Sequence, residues 1–196
     1  MKDFWNQRYA ADEYAYGTAP NAFFKAVLDP LPPGRILLPA EGEGRNAVYA
    51  AKLGWEVVAF DQSEGGQKKA MKLAHEANVT LTNNVVDALE YKSEPFFDLI
   101  FYGFFHVPPI VLQPIYDHLN TFLKPGGTLL LEGFSKNNLG KSSGGPRNKV
   151  MLFSVESILD LLDDCSKLEV WEEETILNEG PYHQGSAYVI RAKGVK

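Results

Sequence analysis

One cysteine, Cys165, stands among 196 residues, so no internal disulfide can form and a reducing, cytoplasmic setting is the expectation. Apolar runs are short, and none approaches the roughly 20 residues a membrane helix needs. The opening MKDFWNQRY has no secretory-leader pattern. Basic residues are outnumbered, 19 Lys and Arg against 25 Asp and Glu, and the net charge of −6 argues against nucleic acid or an anionic membrane as partner. No His, Cys, Asp and Glu group has metal-ligand spacing, no Ser or Cys sits on a nucleophile turn, and no segment repeats. What remains is a small chain, 45% hydrophobic, with enough apolar residues for one well-packed domain.

Apolar periodicity divides the chain into alternating elements. Residues 35–39 form an apolar run of strand length, and 45–53 carry Ala47, Val48, Ala50, Ala51 and Leu53 at helical spacing before Gly54 stops them. A strand follows over WEVVAFD, ending on Asp61, and Ser63 caps a helix reaching about Glu76. Further strands are expected over 79–86, within FFDLIFYGFF and after KPGG, with helices over PIVLQPIYDHLNTFL and 154–163. Strands alternating with helices predict a mainly parallel sheet covered on both faces. The last two runs, 167–177 and 186–193, are too close for a parallel crossover and predict an antiparallel hairpin. The Gly/Ser/Lys-rich stretch NNLGKSSGGPRNK reads as a mobile cover over a site.

The segment RILLPAEGEGRNAVYAA is a strand, a tight turn with bare Gly42 and Gly44, and a helix. Glycine lets a ligand lie against the backbone, and free N–H groups at a helix N-terminus favour an anion or a polar ligand end. Asp61 ends the next strand ~20 residues on, where an acid takes ribose hydroxyls of either NAD or S-adenosylmethionine. By themselves these residues leave both cofactors open, along with a plain tight turn beside a solvated acid.

From FWNQRY and YAYGTAPN through GEGRNAVYAAKLGWEVVAFDQS and KPGGTLLLEGF to EGPYHQGSA, the chain resembles the class I S-adenosylmethionine-dependent methyltransferases, within them the tellurite-resistance and thiopurine methyltransferase-like group. The resemblance implies a single Rossmann-like domain over 1–196, with a seven-stranded, mainly parallel sheet, helices on both faces and a C-terminal antiparallel hairpin. It also implies a lid made by residues 1–30, and S-adenosylmethionine as cofactor for a small-molecule acceptor. Carried over by position, Gly42 and Gly44 flank the methionine part, with Glu41, Glu43, Arg45 and Asn46 beside it. Asp61 takes the ribose hydroxyls, Gln62 and Ser63 follow along the adenine, and Asp87, Ala88 and Leu89 meet its edge. Tyr102 and Gly103 border the methionine amino group, and Tyr16 belongs to the lid. The sequence departs from the family at Leu38, where an acid is usual, and at Ala40, where a third glycine is usual, with Pro39 between them. Glu41 or Glu43 offers a substitute for the missing acid.

The catalytic candidates are His106 after the fourth strand, and Tyr182 with His183 in the loop of the terminal hairpin. An imidazole with an ordinary pKa near 6.5 suits a general base. Aromatic faces at Tyr14, Tyr16, Phe104 and Phe105 suit a sulfonium. Two other readings share many of these residues: a protein that binds the cofactor without catalysis, and an NAD-dependent oxidoreductase.

Overall fold

The computed structural model describes residues 2–93 and 96–196. In chain order the elements are α1 (Lys2–Arg8), α2 (Ala22–Leu28), β1 (Arg35–Pro39), α3 (Arg45–Lys52), β2 (Glu56–Asp61), α4 (Glu64–Glu76) and β3 (Thr82–Val85). They continue with β4 (Phe97–Gly103), α5 (Pro109–Asn120), β5 (Leu123–Phe134), α6 (Val155–Leu161), β6 (Ser166–Asn178) and β7 (Gln184–Val195). One seven-stranded sheet runs in the order β3-β2-β1-β4-β5-β7-β6, parallel from β3 to β5 and antiparallel at β7 and β6. The terminal hairpin and the mainly parallel sheet are those read from the sequence. No helix among the described residues is long and apolar enough to cross a membrane.

The period of two along each strand splits the core between the faces. Ile36, Leu38, Val57, Ala59, Leu99 and Phe101 pack under residues of α2, α3 and α4, such as Phe24, Ala47 and Ala74. Their neighbours Leu37, Val58, Phe60, Ile100 and Tyr102 meet Ile115, Tyr116 and Leu119 of α5 and Ile158 and Leu161 of α6. Leu38, where the resemblance leads one to expect an acid, is thus fully buried core. Pro39 closes β1 at its last pairing with Phe60, where its missing N–H disturbs no further rung.

Local signals set the helix starts. Ser63 Oγ accepts the Gly66 N–H at 3.1 Å, and Ser154 with Ser157 forms a reciprocal cap at α6. The third strand is shorter than the run 79–86, because Val79 N–H still closes α4 on Ala74 O. The last two strands are longer than expected and leave only residues 179–183 between them. The reversal of connection direction between β1 and β4 opens a crevice at the carboxyl ends of the parallel strands, where open α/β sheets hold ligands.

Candidate functional site

A cavity of about 850 Å³ fills that crevice. Its floor is Ala40 and Glu41 after β1, Asp61 and Gln62 at β2, Asp87 and Ala88 after β3, and Gly103 to Val107 after β4. Phe4, Trp5, Arg8 and Tyr9 of the N-terminal segment and Tyr182 and His183 of the hairpin loop cover it. These two covers hold one another: Tyr182 N–H donates to Ala15 O at 3.3 Å, and the Arg8 guanidinium lies 3.8 Å from the Tyr182 ring centre. Arg8 also donates to the Tyr16 hydroxyl at 3.2 Å.

The half of the floor below β3, β2 and β1 is acidic. Asp61 is 5% exposed; Oδ2 accepts Gly42 N–H at 3.0 Å and Oδ1 accepts Ser63 N–H at 2.8 Å. Burial outweighs those bonds and raises its pKa to about 6. Glu41 Oε1 accepts the Asn46 and Ala47 N–H groups at 2.7 and 2.8 Å, so its carboxylate occupies the N-terminus of α3. Burial lifts the Glu41 carboxyl to about 7 against those bonds and the Arg45 charge. A carboxyl group is therefore already built into the helix N-terminus that the sequence offered to a ligand. Asp87 completes the row and accepts Leu89 N–H at 3.0 Å.

The glycine turn is built for packing against protein. A Cβ on Gly42 would lie 2.5 Å from the Tyr9 hydroxyl, and one on Gly44 would lie 2.6 Å from Ala70 Cβ of α4. Gly42, Glu43 and Gly44, expected beside a methionine group, are absent from the cavity lining. Glu43 is a strut: it pairs with Lys69 at 2.5 Å and accepts Ala15 N–H at 2.8 Å, fastening the N-terminal segment to α4. The residue at the cavity wall is Ala40, held at φ 51°, a left-handed conformation that costs a non-glycine residue about 1 kcal/mol.

Other expected contacts also move. Tyr102 points away from the cavity into the α5 face, where its hydroxyl donates to Asn120 Oδ1 at 2.9 Å; Gly103, one step along the strand, lines the wall. Leu89 is exposed and outside the lining, and Ser63 is committed to the cap of α4. Tyr16, Glu41, Arg45, Asn46, Asp61, Gln62, Asp87, Ala88 and Gly103 do come together around the one cavity.

His106 and His183 both reach the cavity, and their bonding separates them. His106 Nδ1 lies 2.8 Å from Met151 O, and Nε2 accepts the Phe134 N–H at 2.9 Å. This fixes a neutral tautomer with no lone pair left, and burial lowers the pKa to about 4. His106 is thus a structural clamp, not the expected base. His183 is 5% exposed among Tyr16, Phe104 and Phe134, with ring centres 4.5, 4.5 and 5.1 Å away. Its Nδ1 lies 3.4 Å from Glu179 Oε2, which orients the ring and leaves Nε2 without a hydrogen bond among the described residues. Burial lowers its pKa, so the imidazole is neutral at pH 7.

Sequence reading missed Glu179. Its carboxylate takes Arg45 Nη2 at 2.8 Å, Asn21 Nδ2 at 3.0 Å and the His183 ring, and against burial the His183 hydrogen bond and the Arg45 charge hold its pKa at about 2. The four-residue step from Glu179 to His183 was the available signal, yet a hairpin loop gives that spacing no helical meaning. The Arg45 pair ties the loop to α3 at the cavity mouth.

A model of the methyltransferase domain matches residues 36–127. The whole chain shares its Rossmann-like fold with solved methyltransferases and other solved proteins. A protein solved in work on converting a disulfide bond into a thioacetal group during echinomycin biosynthesis superposes over 100% of this chain and 92% of its own, with TM-score 0.78 and 15% identity. TehB from Haemophilus influenzae gives TM-score 0.75 at 16% identity, covering 100% of this chain and 66% of its own. The N-methyltransferase NodS from Bradyrhizobium japonicum, solved with S-adenosyl-L-homocysteine, gives TM-score 0.74 at 12% identity and covers 100% and 97%. Comparison with the curated proteins gave no match. The cavity described above lies at the end of the sheet formed by β1, β2 and β4, elements within the matched segment.

Proposed function

We propose that this chain moves a methyl group from S-adenosylmethionine to a small-molecule acceptor, with residues 1–30 as the lid of a single domain. The observation that carries the reading is the buried Asp61 carboxylate at the tip of β2, facing a cavity large enough for cofactor and acceptor together. When bound, S-adenosylmethionine supplies a methyl carbon on a positively charged sulfur, open to in-line displacement.

The chain's own residues fit that group. Asp61 offers its remaining lone pairs to the ribose hydroxyls, while Gln62, Asp87 and Ala88 border the base. Glu41 stands in for the acid absent at Leu38, and its carboxylate faces the methionine ammonium from the α3 N-terminus. Tyr16, Phe104 and the other rings present faces to a sulfonium. His183 receives the acceptor's proton at Nε2, with Glu179 holding Nδ1–H. Covering by Trp5, Tyr9 and Tyr182 keeps water out of the site.

Rates in such a displacement come largely from positioning. The rival nicotinamide reading gives no role to the aromatic cover or to the acid row at Glu41 and Asp87. Asp61→Ala should weaken S-adenosylhomocysteine binding by about 1.5 to 3 kcal/mol, the range for hydrogen bonds to a charged group, with the fold intact by circular dichroism. Calorimetric titration of both proteins reads this directly, and equal affinity would make Asp61 a purely structural acceptor for Gly42 and Ser63.

A further inference from the structure

The cavity is electrically divided along the sheet. Among the described residues its three lining carboxylates, Glu41, Asp61 and Asp87, lie at or just past the ends of β1, β2 and β3. Over β4 and β5 the lining has no carboxylate among the described residues; it is mainly rings, with Val107, Ile115, Met151 and the loop around residues 141–148. That loop is pinned in place. A Cβ on Gly144 would lie 2.6 Å from Tyr182 O, one on Gly145 would lie 2.8 Å from the Phe134 ring, and Asn138 Nδ2 donates to Gly144 O at 3.1 Å.

Among the described residues four cations line the cavity: Arg8, Arg45, Lys141 and Arg147. Arg45 is paired with Glu179, Lys141 binds Ser186 Oγ at 2.8 Å and Glu174 at 3.5 Å, and Arg8 is spent on Tyr16 and two rings. Arg147 has no hydrogen bond, ion pair or ring contact among the described residues. It stands on the same loop that abuts His183 and Phe134. An unpaired guanidinium beside an apolar, ring-lined chamber presents a planar, two-pronged site to a carboxylate.

We infer that the acceptor is a small aromatic acid, with its ring against Phe104, Phe134 and Tyr182 and its carboxylate on Arg147. The inference rests on the methyltransferase reading for the word acceptor, while the binding site itself stands on the lining alone. The acid row below β1 to β3 repels such a ligand from the cofactor half, so charge also sets which end it enters. A neutral analogue of the same shape loses the Arg147 contact and keeps the rings.

The test is calorimetric titration of a set of aromatic carboxylic acids, and of their matching primary amides, into the full chain with and without saturating S-adenosylhomocysteine. At least one acid should bind about 10- to 100-fold more tightly than its amide, the range expected for a charge-assisted, two-pronged contact. Arg147→Gln should bring acid and amide together, Arg147→Lys should keep part of the preference, and S-adenosylhomocysteine affinity should be unchanged in both. Arg147 is exposed, so neither change threatens folding. Amides binding as tightly as acids, no acid binding at all, or a preference that survives Arg147→Gln would each overturn the inference. Failure of S-adenosylhomocysteine to bind, with the acid preference intact on the free chain, would instead remove the methyltransferase reading and leave the acid site standing.

Discussion

Methyl transfer by a His183→Ala variant to a hydroxyl or amine acceptor is expected to fall by about 10²- to 10⁴-fold, the usual contribution of a positioned base. The ring is held by Glu179 on Nδ1 and walled by Tyr16, Phe104 and Phe134, so Nε2 is the atom left to accept a proton. Because burial keeps its pKa below the ordinary 6.5, the base form is present at neutral pH and is lost only as pH falls through that lowered value. Turnover should therefore hold from neutral pH upward and decline on the acid side. A thiol acceptor, already partly ionised, should suffer far less than an alcohol. Affinity for S-adenosylhomocysteine should stay within a few-fold, since the loss is in turnover. Labelled-methyl transfer at several pH values reads all three, and a His183→Ala enzyme of normal activity on a hydroxyl acceptor would leave positioning as the whole of catalysis.

Arg191→Ala carries the largest expected effect on stability. Glu132 of β5 is fully buried, with Oε1 taking Arg191 Nε at 2.7 Å and Oε2 taking Asn21 Nδ2. Arg191 also reaches Glu173 at 2.5 Å and lies over the Phe23 ring. Removing it strands a buried carboxylate, which costs about 3 to 5 kcal/mol. At about 2 to 4 °C per kcal/mol for a chain of this size, the melting temperature should drop by roughly 6 to 20 °C. Burial already raises the Glu132 pKa, and loss of the guanidinium raises it further. A carboxyl whose folded pKa lies above its unfolded value is best tolerated where it is protonated, so the deficit should grow as pH rises above the ordinary carboxyl range. Denaturation of both proteins at pH 5 and pH 8 should show the smaller gap at pH 5. A gap under about 1 kcal/mol at both would mean that the carboxylate finds other partners.

Fold and site were unequally legible in the sequence. Strand and helix periods, the short link before β7 and the caps at Ser63 and Ser154 are local signals, and they yielded the sheet and its terminal hairpin. Asp61, Asp87 and Gly103 fall at strand ends, and strand ends converge on one edge in any parallel sheet, so their meeting needed no coordinates. Side-chain direction and long-range pairing were hidden. The glycines of the turn make room for Tyr9 and Ala70, residues 33 positions before Gly42 and 26 after Gly44, and nothing local announces either contact. The two histidines look alike in sequence; only the Met151 carbonyl and the Phe134 amide, brought in by distant elements, turn His106 into a clamp. Glu179 was passed over because its partners, Asn21 and Arg45, lie more than a hundred residues away. Glu41 was read as one of two replacements for a missing acid, and the fold distinguishes them by turning Glu41 to the cavity and Glu43 to Lys69.

Unfolding of the full chain with S-adenosylhomocysteine, S-adenosylmethionine or NAD(H) in parallel decides whether this cavity is an adenosyl-methionine site. Either sulfur ligand at about 100 times its dissociation constant should stabilise the fold by roughly 2.7 kcal/mol, a shift of about 5 to 11 °C, with no shift from NAD(H). Stabilisation by NAD(H) with none from the two sulfur ligands would contradict the methyltransferase reading outright.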